Sequence, residues 1–179
     1  MEVVYGALKM TQRLDVSEDN SSRPQVEIRR CEDQHQLITT TEVQRGAQIL
    51  EIYGDVTTTP TRYSVQVGRG QHIEPHAPEV INTDPLRYTW RFLNHACQPN
   101  TRLRGRTLIA TRDLARGEEL TFNYNSNEYE MAEPFRCWCS AHTSDDVVWV
   151  RGYKHLTPTE RKVLHKWVGE VSEHVLDHD

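Results

Sequence analysis

Residues 94–100 read Asn94-His95-Ala96-Cys97-Gln98-Pro99-Asn100, so an amide, an imidazole and a thiol crowd into four positions directly after Arg91-Phe92-Leu93. On an extended segment His95 and Cys97 project to the same face, and such a pair with an asparagine nearby is the residue set of a thiol nucleophile. Alternate positions along one strand lie about 6.5 to 7 Å apart, beyond hydrogen-bond reach, so the base for that thiol would have to come from elsewhere in the fold. The alternative is a buried thiol beside a core histidine. Pro99 bars the segment from the middle of a sheet. Two other stretches carry chemistry: Cys137-Trp138-Cys139, where one intervening residue suits a shared metal better than a disulfide, and Gly117 to Tyr124, a turn and short apolar strand ending on a tyrosine.

A chain of 179 residues can bury one substantial core, and one domain with appendages is expected. The hydrophobic fraction of 36%, charged fraction of 26% and net charge of −5 describe a soluble protein with a mildly acidic surface. No dense Lys/Arg run is present, so direct nucleic-acid binding is not expected, and a basic peptide suits the surface better. Met1 to Met10 lack the pattern of a signal peptide, and no run reaches membrane-spanning length. The expectation is an intracellular protein, cytoplasmic or nuclear, with no membrane partner. Its cysteines, Cys31, Cys97, Cys137 and Cys139, are then thiols or metal ligands rather than disulfides.

The elements that must position these residues are mainly strands. β-branched and aromatic runs between glycine turns predict short strands at 26–28, 37–41, 48–53 and 63–67, and a hairpin around Gly105 joining 101–104 to 107–111. Residues 71–89 hold three prolines and read as irregular, with one helical turn near Asp84 to Tyr88; residues 125–133 read as a polar connection. The clear helix lies at the end of the chain, where Thr157-Pro158-Thr159-Glu160 offers an N-cap, a first-turn proline and a capping box. Val163, Leu164, Trp167, Val168, Val171, Val175 and Leu176 follow at helical spacing as a face to pack on the core, while His155, His165, His174 and His178 read as solvated.

Residues 91–100 resemble the RFxNHSCxPN signature of SET-domain lysine methyltransferases, with Ala96 in place of serine. Glu118 to Tyr124 resembles the same family's GEELTxDY signature, with Asn123 in place of aspartate. The two stand in the family's order and spacing. Arg45 to Asp55 is similar to the family's opening IxxGxxIxEYxGE, and Phe135-Arg136-Cys137-Trp138-Cys139 to the start of its post-SET tail. The resemblance implies a mainly β, SET-type β-clip fold of small curved sheets with short helices, in which residues 94–100 thread beneath the Tyr124 segment as a pseudoknot. The resemblance covers roughly residues 36–155 as a SET core (36–125) and a post-SET-like tail (126–155); the residues outside it read as an N-terminal appendage (1–35) and a C-terminal α-helix packed on the core (156–179).

The resemblance further implies transfer of methyl from S-adenosylmethionine to a lysine amine of a protein or basic peptide. Carried over by position, Asn94 and His95 bind the cofactor, with Arg91 and Phe92 on the same side. Tyr124 sits at the reacting centre, with Tyr53 and Tyr63 either further channel aromatics or ordinary strand aromatics. Trp138 either covers the adenine or packs against the terminal helix. A post-SET zinc would use Cys97, Cys137 and Cys139. Ser144 falls where the fourth cysteine is expected and His142 can replace it; three reduced thiols with no metal are the alternative.

Two departures bear on function. Residues 31–38 contain no glycine where the family carries a GxG that admits the cofactor, since a Cβ there crowds a close approach. The stretch between Gly70 and Arg91 is short and proline-broken, with little surface for reading a peptide. These features keep two alternatives open: a catalytically inactive SET-fold binding module, and a SET-fold enzyme acting on a small molecule.

Overall fold

The structure, a computed structural model, describes residues 25–31, 34–76, 85–143 and 147–176. Most of the expected N-terminal appendage, together with Ser144 and His178, lies outside the described residues. Among those described, the chain forms twelve short strands in small sheets. A hairpin of β1 (Val26–Cys31) and β2 (Gln34–Thr39) leads to a sheet ordered β3 (Gln48–Glu51), β9 (Thr107–Ala110), β8 (Thr101–Arg104). A second three-stranded sheet places β6 (Gln71–Glu74) between β4 (Asp55–Thr57) and β5 (Val65–Gly68). Two-stranded pairs join β7 (Asn94–His95) to β10 (Thr121–Phe122) and β11 (Phe135–Arg136) to β12 (Trp149–Val150).

The mainly β architecture and the hairpin around Gly105 are as the sequence predicts, with Leu103 opposite Leu108. Gly105 takes φ +60°, the left-handed conformation that a tight hairpin needs. Residues 71–89 depart from the irregular reading. β6 forms there because His72 and Ile73 are buried against both neighbouring strands, and the helical turn is a 3-10 segment over Pro85–Phe92, kinked at Tyr88.

Leu37, Ile52, Ile73, Leu108 and Leu120 are fully buried in one core with Trp90, Leu93 and Phe122. The C-terminal segment builds a second cluster. Thr157 caps α1 (Pro158–Val168) with the expected capping box, but Gly169 at φ +77° ends the helix, and α2 (Glu173–Leu176) follows separately. Leu164, Val168, Val171 and Val175 are buried with Tyr153, Tyr129 and Leu156, whereas Val163, Trp167 and Leu176 remain exposed. The helix therefore packs on the segment after Tyr124, with a narrower face than its spacing suggested. His174 is buried rather than solvated, its Nε2 donating to the Asn127 carbonyl at 2.7 Å.

The pair β7–β10 runs parallel, with Asn94 opposite Thr121 and His95 opposite Phe122, so the chain crosses back beside itself after 25 intervening residues. Two strands of two residues hold little by themselves. Asn100 reinforces them: its Oδ1 accepts from the Thr121 N–H at 2.9 Å, and its Nδ2 donates to the Glu119 carbonyl at 2.7 Å. Asn100 is 5% exposed, so these bonds are shielded from water. Asn100→Ala is expected to leave both backbone groups unpaired and to cost about 2 to 4 kcal/mol, read from urea unfolding; a change under about 0.5 kcal/mol would show that the crossing does not rest on this side chain.

Candidate functional site

The crossing fixes the residues with chemistry. Tyr124 follows β10, and its backbone N–H donates to His95 Nδ1 at 3.1 Å. The His95 ring is therefore the tautomer protonated at Nε2, and that nitrogen lies 3.4 Å from Cys97 Sγ. Burial, and then the charge of His142, pull its pKa down to about 3, so the ring stays neutral. The separation of His95 and Cys97 expected for a straight strand does not hold, because β7 ends at His95 and the chain bends at Cys97. Asn123 Nδ2 donates to the Cys97 carbonyl at 3.3 Å, and the Tyr124 hydroxyl donates to the Leu93 carbonyl at 2.6 Å. Burial, followed by the charges of Glu128 and Glu119, raises the phenol's pKa well above its usual value and keeps it protonated.

Tyr124 lies between two openings. A cleft of about 940 Å³ is lined on one side by His35, Asn94, His95 and Glu119 and on the other by Phe135 and Trp138. A pocket of about 80 Å³ is lined by Tyr63, Val65, Trp90, Leu93, Phe122 and Glu128. Tyr124, Arg62 and Met131 line both. The cleft has the volume of a cofactor site, and the pocket that of a narrow side-chain slot. Asn94 Nδ2 is held by the His35 carbonyl at 2.9 Å and Glu119 Oε1 at 2.8 Å. In the stretch without glycine, Gln34 and His35 line the cleft, whereas the Gln36 side chain is bound to Arg29 and Glu119 and is absent from the lining.

The sequence-predicted residues separate between these spaces. Asn94, His95, Trp138 and Tyr124 line the cleft; Trp138 is 74% exposed there, with the Arg136 guanidinium 4.0 Å over its ring. Arg91 lines the small pocket instead, and Phe92 lines neither space, packing against the His35 ring at 5.3 Å. Tyr63 lines the small pocket. Tyr53 lines neither; its hydroxyl donates to Glu51 Oε2 at 2.9 Å, and its carbonyl accepts from Trp90 Nε1.

Cys97, Cys137, Cys139 and His142 come together, with all four ligand atoms within 4.8 Å of one another. The sulfurs of Cys97 and Cys137 are 3.7 Å apart, close to the roughly 3.8 Å that two tetrahedral zinc–sulfur bonds of 2.3 Å require. His142 Nε2 is 3.0 Å from Cys97 Sγ. The N–H groups of Cys97 and Cys139 each approach a cysteine sulfur at 3.4 Å, an arrangement that favours thiolates. The donor set fits zinc.

The stretch 125–128, read from sequence as a polar connection, is core. Asn125 Oδ1 accepts from the Gly152 N–H at 2.8 Å, and Asn127 Nδ2 donates to the Gln66 carbonyl at 2.6 Å. Gly152 is required there, because a Cβ would meet the Tyr129 carbonyl at 2.6 Å. Glu128, also missed, is buried at the wall of the small pocket and accepts from the Gln66 N–H at 2.8 Å. Burial raises its pKa to about 7 despite the bonds from Gln66 and Asn127. No hydrophobic period or motif marked it; only its place four residues after Tyr124, where the chain makes a 3-10 turn, could have pointed to it.

With this geometry in place, comparison with known proteins identifies the class. The SET domain family matches residues 34–125, slightly more than half of the chain, and the chain belongs to that family. "Methyltransferase flvH" of Aspergillus flavus is 34% identical over 85 residues, covering 45% of this chain and 42% of that protein. "Histone-lysine N-methyltransferase, H3 lysine-36 specific" of Homo sapiens is 28% identical over 155 residues, covering 78% of this chain and 6% of that protein. Among solved structures, one titled as KRYPTONITE in complex with mCHH DNA, H3(1-15) peptide and SAH is similar at a TM-score of 0.48 and 18% identity, over 70% of this chain and 29% of that one. The chain thus spans less than half the length of these curated relatives. No helix among the described residues is long and apolar enough to cross a membrane.

Glu128 makes stability depend on pH. Its pKa moves from 4.5 to about 7 on folding, so below 4.5 it is protonated in both states and costs nothing. As pH rises from 4.5 to about 7 the unfolded chain releases this proton and the folded chain retains it, so stability falls until the full penalty is reached above 7. The wild type is expected to lose on the order of 3 kcal/mol relative to Glu128→Gln across that window, most of it between pH 5 and 7, in paired urea titrations; parallel pH curves would contradict the assignment.

Proposed function

We propose that the protein transfers a methyl group from S-adenosylmethionine to a lysine side-chain amine, with the cofactor in the larger cleft and the amine in the small pocket. The observation that carries this reading is Tyr124, the shared wall of the two spaces, whose hydroxyl is pinned by the Leu93 carbonyl at 2.6 Å. When bound, the cofactor supplies a methyl carbon made electrophilic by its sulfonium. Asn94, His95, Tyr124 and Trp138 are the residues that would hold it, His95 largely by backbone, since its ring is engaged by Tyr124 and faces Cys97. Val65, Trp90, Leu93 and Phe122 give the pocket an apolar wall, and such a wall favours the neutral amine over the ammonium. The chain's task is alignment: a fixed phenol and a narrow slot limit the directions from which a nitrogen can approach.

The substrate class follows from relatives named for histone lysines, so a histone or other basic peptide is the first choice and the nucleus the place of action. A small-molecule amine is the second reading, favoured by the relative that is 34% identical and named only as a methyltransferase. Labelled cofactor offered with a lysine peptide array and, in parallel, with a metabolite extract separates these; label on neither, with cofactor bound, indicates the inactive module. Tyr124→Phe is expected to lower turnover on the order of 10²-fold with cofactor affinity little changed, and unaltered turnover would remove the hydroxyl from the site's chemistry. Zinc held by Cys97, Cys137, Cys139 and His142 is structural in this reading, four ligands leaving no open position. About one equivalent should appear by elemental analysis and be lost, with stability, in Cys137→Ser; a metal-free wild type rejects it.

A further inference from the structure

The small pocket carries a group that alignment alone does not require. Among the described residues lining it, Glu128 is the one carboxylate. Its side chain is 9% exposed, and its Oε1 is committed to the Gln66 N–H at 2.8 Å and Asn127 Nδ2 at 3.3 Å. Among the described residues no hydrogen bond reaches Oε2; its nearest basic neighbour, His72 Nδ1, stands 3.9 Å away and is itself without a hydrogen bond. That oxygen sits on a buried side chain at the pocket wall beside Tyr124, is engaged by no hydrogen bond among the described residues, and is open to a donor entering the pocket.

We propose that Glu128 is the proton acceptor of the amine pocket: its Oε2 receives a proton from the primary ammonium of the incoming side chain and leaves a neutral amine beside Tyr124. The N–H bond breaks with its electron pair remaining on nitrogen, an O–H bond forms on the carboxylate, and an ammonium–carboxylate pair becomes an amine–carboxylic acid pair. Two desolvated ions are thereby replaced by two neutral groups that hydrogen-bond, which is the cheaper state in an apolar slot.

The groups around Glu128 are consistent with this role. Burial, and then the charge of His174 on α2, hold His72 on β6 below its usual pKa, which weakens it as a counter-charge for Glu128. Tyr124 remains a neutral phenol. Arg62 and Arg91 line the same pocket from exposed positions, where solvent screens them, and Arg62 lies 3.9 Å from Glu133. The carboxyl, pushed by burial to about 7, is ionised above that pH and ready to accept; below it, the ammonium meets a carboxyl that already holds its proton.

This inference rests on the reading of the small pocket as the amine site, and its test works without methyl transfer. The probe is n-butylamine, a lysine side chain without its backbone, titrated into the full chain and followed by NMR. Wild type is expected to bind it about tenfold more tightly at pH 8 than at pH 6, and the Glu128 carboxyl carbon should shift toward the protonated position as amine is added at pH 8. Glu128→Gln keeps an oxygen for the Gln66 N–H and offers an amide N–H toward His72 Nδ1, so it should fold, as the same spectra report. It is expected to bind at pH 8 no better than wild type at pH 6, with the pH dependence gone. The inference is overturned if the wild type does not bind the probe at pH 8, if its carboxyl carbon stays unmoved, or if the variant keeps wild-type affinity and pH dependence. Binding as expected without methyl transfer from any sulfonium donor would support the acceptor role and sink the methyltransferase reading alone.

Discussion

Everything in this structure depends on a chain crossing held by buried hydrogen bonds. β7 and β10 share two residue pairs, too few to fix two segments of the chain against the entropy of ordering them. The deficit is met by side chains: Asn100 bridges to Thr121 and Glu119, Thr101 to the Thr121 carbonyl, Asn123 to Cys97, and Tyr124 to both His95 and Leu93. Each bond joins the first segment to the second, and Asn100, Thr101 and Asn123 are themselves buried. Buried polar groups tolerate no half-made network, so a shift of either segment breaks several at once. The same bonds that close the crossing set the wall between cleft and pocket.

The crossing also explains why unlike chemistries lie close together without interfering. His95 offers one nitrogen to the Tyr124 backbone and the other toward Cys97, linking the tyrosine to the cysteine cluster through a ring that stays neutral. On the far side of Tyr124 the environment reverses. Glu128 is buried next to His72, whose pKa is lowered by burial and by His174, and among the described residues no hydrogen bond from a Lys or Arg reaches the carboxyl. The first region gathers three thiols and an imidazole, a donor set that fits zinc, and the second a single carboxylate at a pocket wall.

Sequence and structure agree where the signal is local. The glycine turn of the β8–β9 hairpin and the capping box at Thr157 need only neighbours along the chain. They diverge where a polar residue is buried by distant partners. Asn125, Ser126, Asn127 and Glu128 look like a solvated loop, yet they meet Gln66, Gly152, Ser172 and His174, residues from 27 to 62 positions away. β6 was hidden for the same reason, since His72 alternates with nothing apolar until the sheet supplies its neighbours. The cysteines are an intermediate case: their residue types were legible, and their meeting with His142 was not.

By itself the sequence determined the class of the fold, the family and the set of groups with chemistry, because motifs, turn residues and helix caps act over a few positions. It also determined that His95, Cys97 and Tyr124 would be available. The tertiary structure alone decided that Tyr124 faces two spaces, that Arg91 and Tyr53 stand apart from the cleft, and that Glu128 is a group of the small pocket. Burial caused the difference. Whether a polar side chain meets water or a distant backbone amide depends on what folds over it, and that choice sets both its charge and its chemistry.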